Sequence, residues 1–231
     1  MFQLTLVEEF ALEVDSHRLV VPHMAERVLT YLALVGRPVA RCRLAGTLWP
    51  ECSELAASKS LRTALWRLRQ VEESLVETDR DRLRLDPNVA VDFADLVGLA
   101  YALVDDPRSA ELAHVHLLIN HAELLPDWDE EWVVADRERY RLVRLTALES
   151  AAEALLTIGQ LGGARVAAAA VVRAEPLRES ARRILMQIHL AQGNSVEAIH
   201  EYRRFRDLLR DEIGMDPSPC IERLLPKTRS N

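Results

Sequence analysis

Residues Leu55–Val71, LAASKSLRTALWRLRQV, carry four basic side chains and no acidic one, in a chain where acids outnumber bases 36 to 29. Wound into a helix at about 100° per residue, this run separates into two faces. Ala57, Leu61, Ala64, Leu65 and Leu68 fall in one apolar stripe. Lys59, Arg62, Thr63 and Trp66 gather on the opposite arc, with Arg67 and Arg69 at its edges. The stripe must be buried by the segments that flank it. The other arc offers cations and hydrogen-bond donors, which a helix lying in a DNA major groove requires. A solvated amphipathic helix fits the same pattern, so the flanking segments decide between the two.

Upstream, Leu4 and Leu6 alternate with Gln3 and Thr5, and Phe10, Leu12 and Val14 repeat the period of two, which predicts short strands over 3–21 with a turn at Asp15-Ser16-His17. Pro22 suits a helix first turn; Met24, Val28, Leu29, Leu32 and Val35 follow at helical spacing until Gly36 and Pro38 stop it. A short helix is expected over Arg41–Leu48, then the basic helix, capped by Ser53 or starting at Glu54. Downstream, Leu75–Thr78, a polar tip Asp79–Arg82 and Leu83–Leu85 read as a β-hairpin. Strands, three helices and a hairpin form the plan of a winged helix-turn-helix, in which the third helix enters the groove and the hairpin meets the flanking backbone.

From about Asp92 the pattern turns to helices with short breaks, and Pro87-Asn88 marks the seam. Gly159 and Gly193 lie 34 residues apart, as do Ala164 and Ala198, and Pro176 falls 12 residues after Ala164. A small residue where paired helices cross, repeated at 34, is the tetratricopeptide pattern. An earlier helix pair over about 95–124 is expected to supply a third unit. The fold class is therefore mainly α with a small β component: a winged helix-turn-helix domain over residues 1–92, followed by an all-α tetratricopeptide-like repeat domain over 93–231.

A formal net charge of −7 argues against a protein that coats nucleic acid or acidic membrane indiscriminately, yet it leaves room for a focused basic patch. Cys42, Cys52 and Cys220 are odd in number and lack CxxC spacing, so they read as free thiols in a reducing cytoplasm. MFQLTLVEEF lacks a basic n-region and meets acids by Glu8, which does not fit a signal peptide, and no apolar run approaches the length of a membrane span. A cytoplasmic protein is expected.

RCRLAGTLWP followed by SLRTALWRLRQ resembles the DNA-binding domain of the Streptomyces antibiotic regulatory protein (SARP) family, an OmpR-type winged helix. DWDEEWVVADRERYR and EPLRESARRILMQIHLAQGNSVEAIHEYRRFRDLLRDEIGMDPSP resemble that family's bacterial transcriptional activator domain. The resemblance runs over roughly residues 3–220. It implies a transcriptional activator in antibiotic biosynthesis that binds direct repeats in double-stranded promoter DNA head to tail, as a dimer, and recruits RNA polymerase through its σ subunit. Two departures stand out: family members carry Gly in the early strand turn, here Ser16-His17, and open the second helix with a Ser or Thr cap, here Ala40. No GxxxxGK[ST] appears, and the chain resembles the small, stand-alone members.

Among the candidate site residues, Arg62 is the leading base reader, because a guanidinium pairs bidentately with guanine. Thr63 suits a thymine methyl or a phosphate. Lys59, Arg67 and Arg69 suit phosphates, which position without specifying. Trp66 either packs on sugar-phosphate or covers the seam to the second domain. In the hairpin, Arg82 and Arg84 should face outward, toward a minor groove or toward a salt-bridged solvent surface shared with Asp79 and Asp81.

Asp127, Asp129, Glu130 and Glu131 beside Trp128 and Trp132 lack the Gly of a calcium loop, and they read as an acidic helix start with tryptophans packed inward. His114, His116 and His121 lack zinc spacing. Neither a catalytic motif nor a phosphate-binding glycine loop is present, so no cofactor, metal or enzymatic activity is expected. Arg203, Arg204, Arg206 and Arg210 form a basic stretch, solvated or used for docking. The alternative function is a protein-interaction adaptor or anti-activator, a helical repeat scaffold without DNA binding.

Overall fold

A computed structural model of the chain describes residues 1–225; positions 226–231, the end of the expected second domain, lie outside the described residues. The chain divides into two compact units, Met1–Val97 with His121–Arg141, and Gly98–Asn120 with Leu142 onward.

The first unit opens with β1 (Phe2–Thr5), β2 (Ala11–Val14) and β3 (His17–Leu19), an antiparallel meander in which Leu4 faces Leu12 and Leu12 faces Leu19. The β2–β3 connection is a two-residue turn, with Asp15 at φ 47° and Ser16 at φ 66°. Positive φ at both central positions matches the strand twist, and it is the conformation that favours glycine. Ser16 therefore holds a left-handed conformation without the Gly that the family resemblance leads one to expect there.

Three helices follow, α1 (His23–Val35), α2 (Arg41–Leu48) and α3 (Glu54–Val71), with a two-residue strand β4 (Val39–Ala40) between the first two. Gly36, at φ 62°, ends α1 as a left-handed cap. Ser53 caps α3 by accepting from the Ala56 N–H. Ala40 supplies α2 with no side-chain cap. Instead the Arg41 N–H donates to the Asp81 carbonyl at the hairpin tip, 2.8 Å away. That bond satisfies one of the donors a helix start leaves open.

The hairpin is β5 (Val76–Asp79) and β6 (Arg82–Leu85), and β6 also pairs with β4 in a three-stranded sheet. One core joins these elements: Val28, Tyr31 and Leu32 of α1, Leu44, Ala45 and Leu48 of α2, Ala57, Leu61, Ala64 and Leu65 of α3, and Leu83 of β6. The expected strands, helices, cap and hairpin are all present.

Two features of this unit have no counterpart in the sequence reading. The Pro87-Asn88 seam leads into a strand, β7 (Val89–Val91), which pairs in parallel with β1. Residues 121–141 also belong here: Val7 bridges Leu124, Glu8 N–H donates to the Glu123 carbonyl at 2.8 Å, and Arg27 holds Glu130 at 2.8 Å. Trp128 stacks on Phe10 and meets His23 edge-on, and Trp132 meets Tyr31 edge-on, so both tryptophans pack inward as expected.

Asp92, at the start of α4 (Asp92–Asp105), ties β1 to the helix: its carboxylate accepts from the N–H groups of Leu6 at 2.8 Å, Val7 at 3.0 Å and Phe93 at 2.6 Å. Burial pushes this carboxyl above its ordinary range, and the three N–H donors, together with His121 nearby, pull back only part of that rise.

The second unit takes in α4 from Gly98 onward, a 3₁₀ turn (Ala110–His114) and α5 (Val115–Asn120), then α6 (Glu131–Thr157) from Leu142 onward, α7 (Leu161–Ala174), α8 (Glu179–Ala191), α9 (Ser195–Ile213) and α10 (Pro219–Glu222). The period of 34 is visible bond by bond. Gly159, at φ 80°, donates to Leu156 O, Gln160 to Leu155 O and Ala164 to Gln160 O. Gly193, at φ 76°, donates to Leu190 O, Asn194 to His189 O and Ala198 to Asn194 O. Both glycines take the left-handed conformation that turns one helix into the next, and Ala164 and Ala198 are wholly buried.

The expected third pair over 95–124 is not a regular one. That stretch holds α4, the 3₁₀ turn and the six-residue α5; its one glycine, Gly98, lies inside α4, and none stands in the break at 106–114 to make the same turn. Arg182 donates to Glu201 at 2.5 Å beneath α9 and lies over the Phe205 ring.

Two stability outcomes follow from the first unit. Ser16→Gly should stabilise the protein by up to about 1 kcal/mol, since it relieves a left-handed residue at some cost in unfolded-chain entropy; urea unfolding measures it. Asp92→Asn, which can no longer accept from all three donors, should destabilise by about 1–3 kcal/mol. Because the folded carboxyl is raised, its contribution to stability is complete below about pH 4 and is lost as the pH climbs through the folded value. The Asp92→Asn penalty should therefore shrink from pH 4 to pH 7 in urea unfolding.

Candidate nucleic-acid interface

Helix α3 exists as one element because its apolar residues fall every three or four positions and Ser53 closes its first turn. The stripe that this spacing creates is sealed in the core: Ala64 is wholly buried, and Ala57, Leu61 and Leu68 are nearly so. The opposite face is bare. Lys59, Arg62, Thr63, Trp66, Arg67 and Arg69 are all exposed, with Trp66 at 61%. Lys59, Arg62, Thr63 and Trp66 line one open depression, so the four residues grouped by helical phase meet in space.

None of the four cations on this helix makes an ion pair among the described residues. The contrast with other arginines is sharp. Arg84, on the hairpin, is held by Glu77 at 2.5 Å across the strand pair. On α9, Arg204 is paired with Glu201, Arg206 with Asp207 and Arg210 with Asp216, which leaves Arg203 alone of that basic stretch without an acid among the described residues. Many of the arginines elsewhere are answered by an acid, whereas no cation on α3 is, among the described residues. An unanswered guanidinium or ammonium keeps its full donor set for an outside acceptor.

The hairpin divides its two site candidates. Arg82 and Arg84 both point outward, with Leu83 buried between them. Arg84 is spent on Glu77, whereas Arg82 joins Arg37 and Arg43 around a second depression floored by Tyr31, Val39 and Ala40. Arg37 and Arg43 are exposed and without ion pairs among the described residues, and helical phase alone does not mark them. Their signal was available in RPVARCR, three arginines without an acid across the start of α2, but no helical face gathers them: β4 and the hairpin do.

Among the described residues no helix is long and apolar enough to cross a membrane. The arrangement can therefore offer cations, hydroxyl and indole from one rigid helix, with further guanidinium groups beside it.

The family model of the bacterial transcriptional activator domain matches residues 100–228, more than half of the chain. The chain belongs to this family. It is a family of transcription regulators, and the expected likeness to the Streptomyces antibiotic regulatory proteins holds. Regulatory protein AfsR of Streptomyces coelicolor is 31% identical over 214 residues, 88% of this chain and 21% of the relative. Regulatory protein AfsR of Streptomyces griseus is 31% identical over 215 residues, 85% of this chain and 21% of the relative. The chain thus spans about a fifth of the length of these curated relatives. In fold it resembles Mycobacterium tuberculosis EmbR, solved in complex with a low-affinity phosphopeptide: the TM-score is 0.77 at 20% identity, covering 96% of this chain and 63% of that one. The winged helix followed by an all-helical domain is thus shared with that solved structure.

Because the two faces of α3 do separate jobs, they should respond separately to substitution. Lys59→Ala and Arg62→Ala are expected to leave stability within about 0.5 kcal/mol of the parent. Leu61→Ala, which empties part of the shared core, should cost about 2–5 kcal/mol. Guanidinium unfolding of the three variants checks this.

Proposed function

We propose that the protein is a sequence-specific, DNA-binding transcriptional activator of the cytoplasm, in which the winged helix (residues 1–92) reads promoter DNA and the helical repeats (93–231) hold its partners. The observation that carries the reading is the cationic face of α3, left without ion pairs while its opposite stripe is locked in the core. Arg62 is the base reader, through bidentate pairing with guanine. Lys59, Arg67, Arg69 and Arg82 contact phosphates, Arg84 contributes only after giving up Glu77, and Trp66 packs on the sugar-phosphate chain. Direct-repeat operators, binding as a dimer and recruitment of RNA polymerase through its σ subunit complete the proposal, on the strength of the family resemblance.

Binding energy, not chemistry, does the work in this scheme. A protomer on one half-site raises the effective concentration of its neighbour, so modest contacts add. Arg62→Ala should weaken binding to promoter DNA by about 5- to 150-fold, the loss of about 1–3 kcal/mol, with little effect on scrambled duplex. Lys59→Ala should weaken both and reduce the salt slope by about one. Fluorescence-anisotropy titrations over promoter and scrambled duplexes at two salt concentrations read both outcomes. Equal losses on the two DNAs for Arg62→Ala would remove it as a base reader; salt-independent or absent binding would favour the adaptor.

A further inference from the structure

We propose that Thr63 reads the C5-methyl group of a thymine, so that this side chain specifies a base and does not grip the backbone; the inference rests on α3 being the reading helix. Two observations support it, the state of the hydroxyl and the surroundings of the side chain. Thr63 Oγ1 donates to the Lys59 carbonyl one turn earlier, 3.1 Å away. A threonine has one hydroxyl proton, and phosphate oxygens only accept. In that rotamer Thr63 has no proton to donate to a phosphate, and its γ-methyl is the group left for a partner.

Thr47, Thr146 and Thr157 make the same bond one turn back along their own helices, so it is the resting state of a helical threonine. What distinguishes Thr63 is its place. It is exposed, and it shares an open, mainly apolar depression with Lys59, Arg62 and the indole of Trp66, itself 61% exposed. Lys59 lies one turn before it and Arg67 one turn after, so cations bracket an apolar centre. Among the four bases only thymine presents a methyl group in the major groove, and small apolar side chains recognise it by contact.

The test uses the full chain and the duplex site recovered by selecting random DNA with it. Each thymine of that site is replaced in turn by deoxyuridine, which removes the C5-methyl and preserves base pairing. One position should lose about fourfold in affinity, the value of one methyl group no longer buried. Thr63→Val keeps the methyl and drops the hydroxyl; it should bind the thymine site within about twofold of the parent and retain the uracil effect. Thr63→Ser keeps the hydroxyl and drops the methyl; it should bind the thymine site about fourfold more weakly and no longer distinguish uracil.

A parent protein indifferent to uracil at every position overturns the proposal while leaving α3 as the reading helix. The same holds if Thr63→Val loses binding and Thr63→Ser keeps it, which would assign the contact to the hydroxyl. If no site can be selected at all, the DNA-reading assignment of α3 falls, and this inference with it.

Discussion

Everything in the first unit depends on burying one stripe of one helix. Ala57, Leu61, Ala64 and Leu65 leave water because α1 and α2 pack against them, and Leu83 of the hairpin joins the same cluster. Two alanines in the stripe let neighbouring backbones approach closely, while the leucines supply the apolar area, at roughly 25 cal/mol for each Å² removed from water. The rotation of α3 about its own axis is then fixed. A helix that must put Leu61 inward must put Arg62, Thr63 and Trp66 outward, with no adjustment available at lower cost than emptying the core. The exposed face is rigid because the buried one is.

Charge is allocated with the same economy. The chain carries 36 acids and 29 bases, more than enough acid to neutralise each cation at its own surface. The structure spends acids on Arg27, Arg84, Arg182, Arg204, Arg206 and Arg210, yet none on Lys59, Arg62, Arg67 or Arg69. Surface pairs contribute little to stability, so leaving four cations unpaired sacrifices little of it. What the omission preserves is a local positive field that a net charge of −7 hides, since screening confines each exposed charge to within about 10 Å in ordinary salt.

How much of this was legible in the sequence follows the range of the interactions. The two faces of α3, the Ser53 cap, the Asp79–Arg82 tip and the Gly159/Gly193 period are local, and each announces itself through spacing or residue type. The rest is set by contacts between residues far apart in the chain. Val89–Val91 reads as the end of a seam, but becomes a strand because Phe2–Leu4 offers a parallel edge. Residues 121–141 look like the start of a helical domain, yet Leu124 bridges Val7 and Glu130 meets Arg27, more than a hundred residues apart. The pairing of Arg84 with Glu77 was hidden for a different reason. Two residues that face each other across a two-residue turn have their register set by that turn, and side-chain alternation alone gives direction but not partner. Arg37 and Arg43 escaped notice because β4 and the hairpin gather them, where no single helix does.

The small size of the cationic face bears on the proposed binding in pairs. On the proposed reading, Lys59, Arg67 and Arg69 of α3 together with Arg82 of the hairpin neutralise about four phosphates, which gives a logarithmic salt slope near −3.6 for one protomer. That is a modest, salt-sensitive grip, and one guanine pair with one thymine methyl adds only a few kcal/mol of discrimination. Lengthening the patch would raise affinity for every sequence equally, because phosphate contacts do not distinguish bases. Repeating the unit is different: two copies on adjacent sites double the base-specific terms, and the second binds at the effective concentration set by the first. A short reading face joined to a helical repeat domain is therefore a way to gain specificity faster than affinity, and it ties occupancy to the spacing of the sites as well as to their sequence.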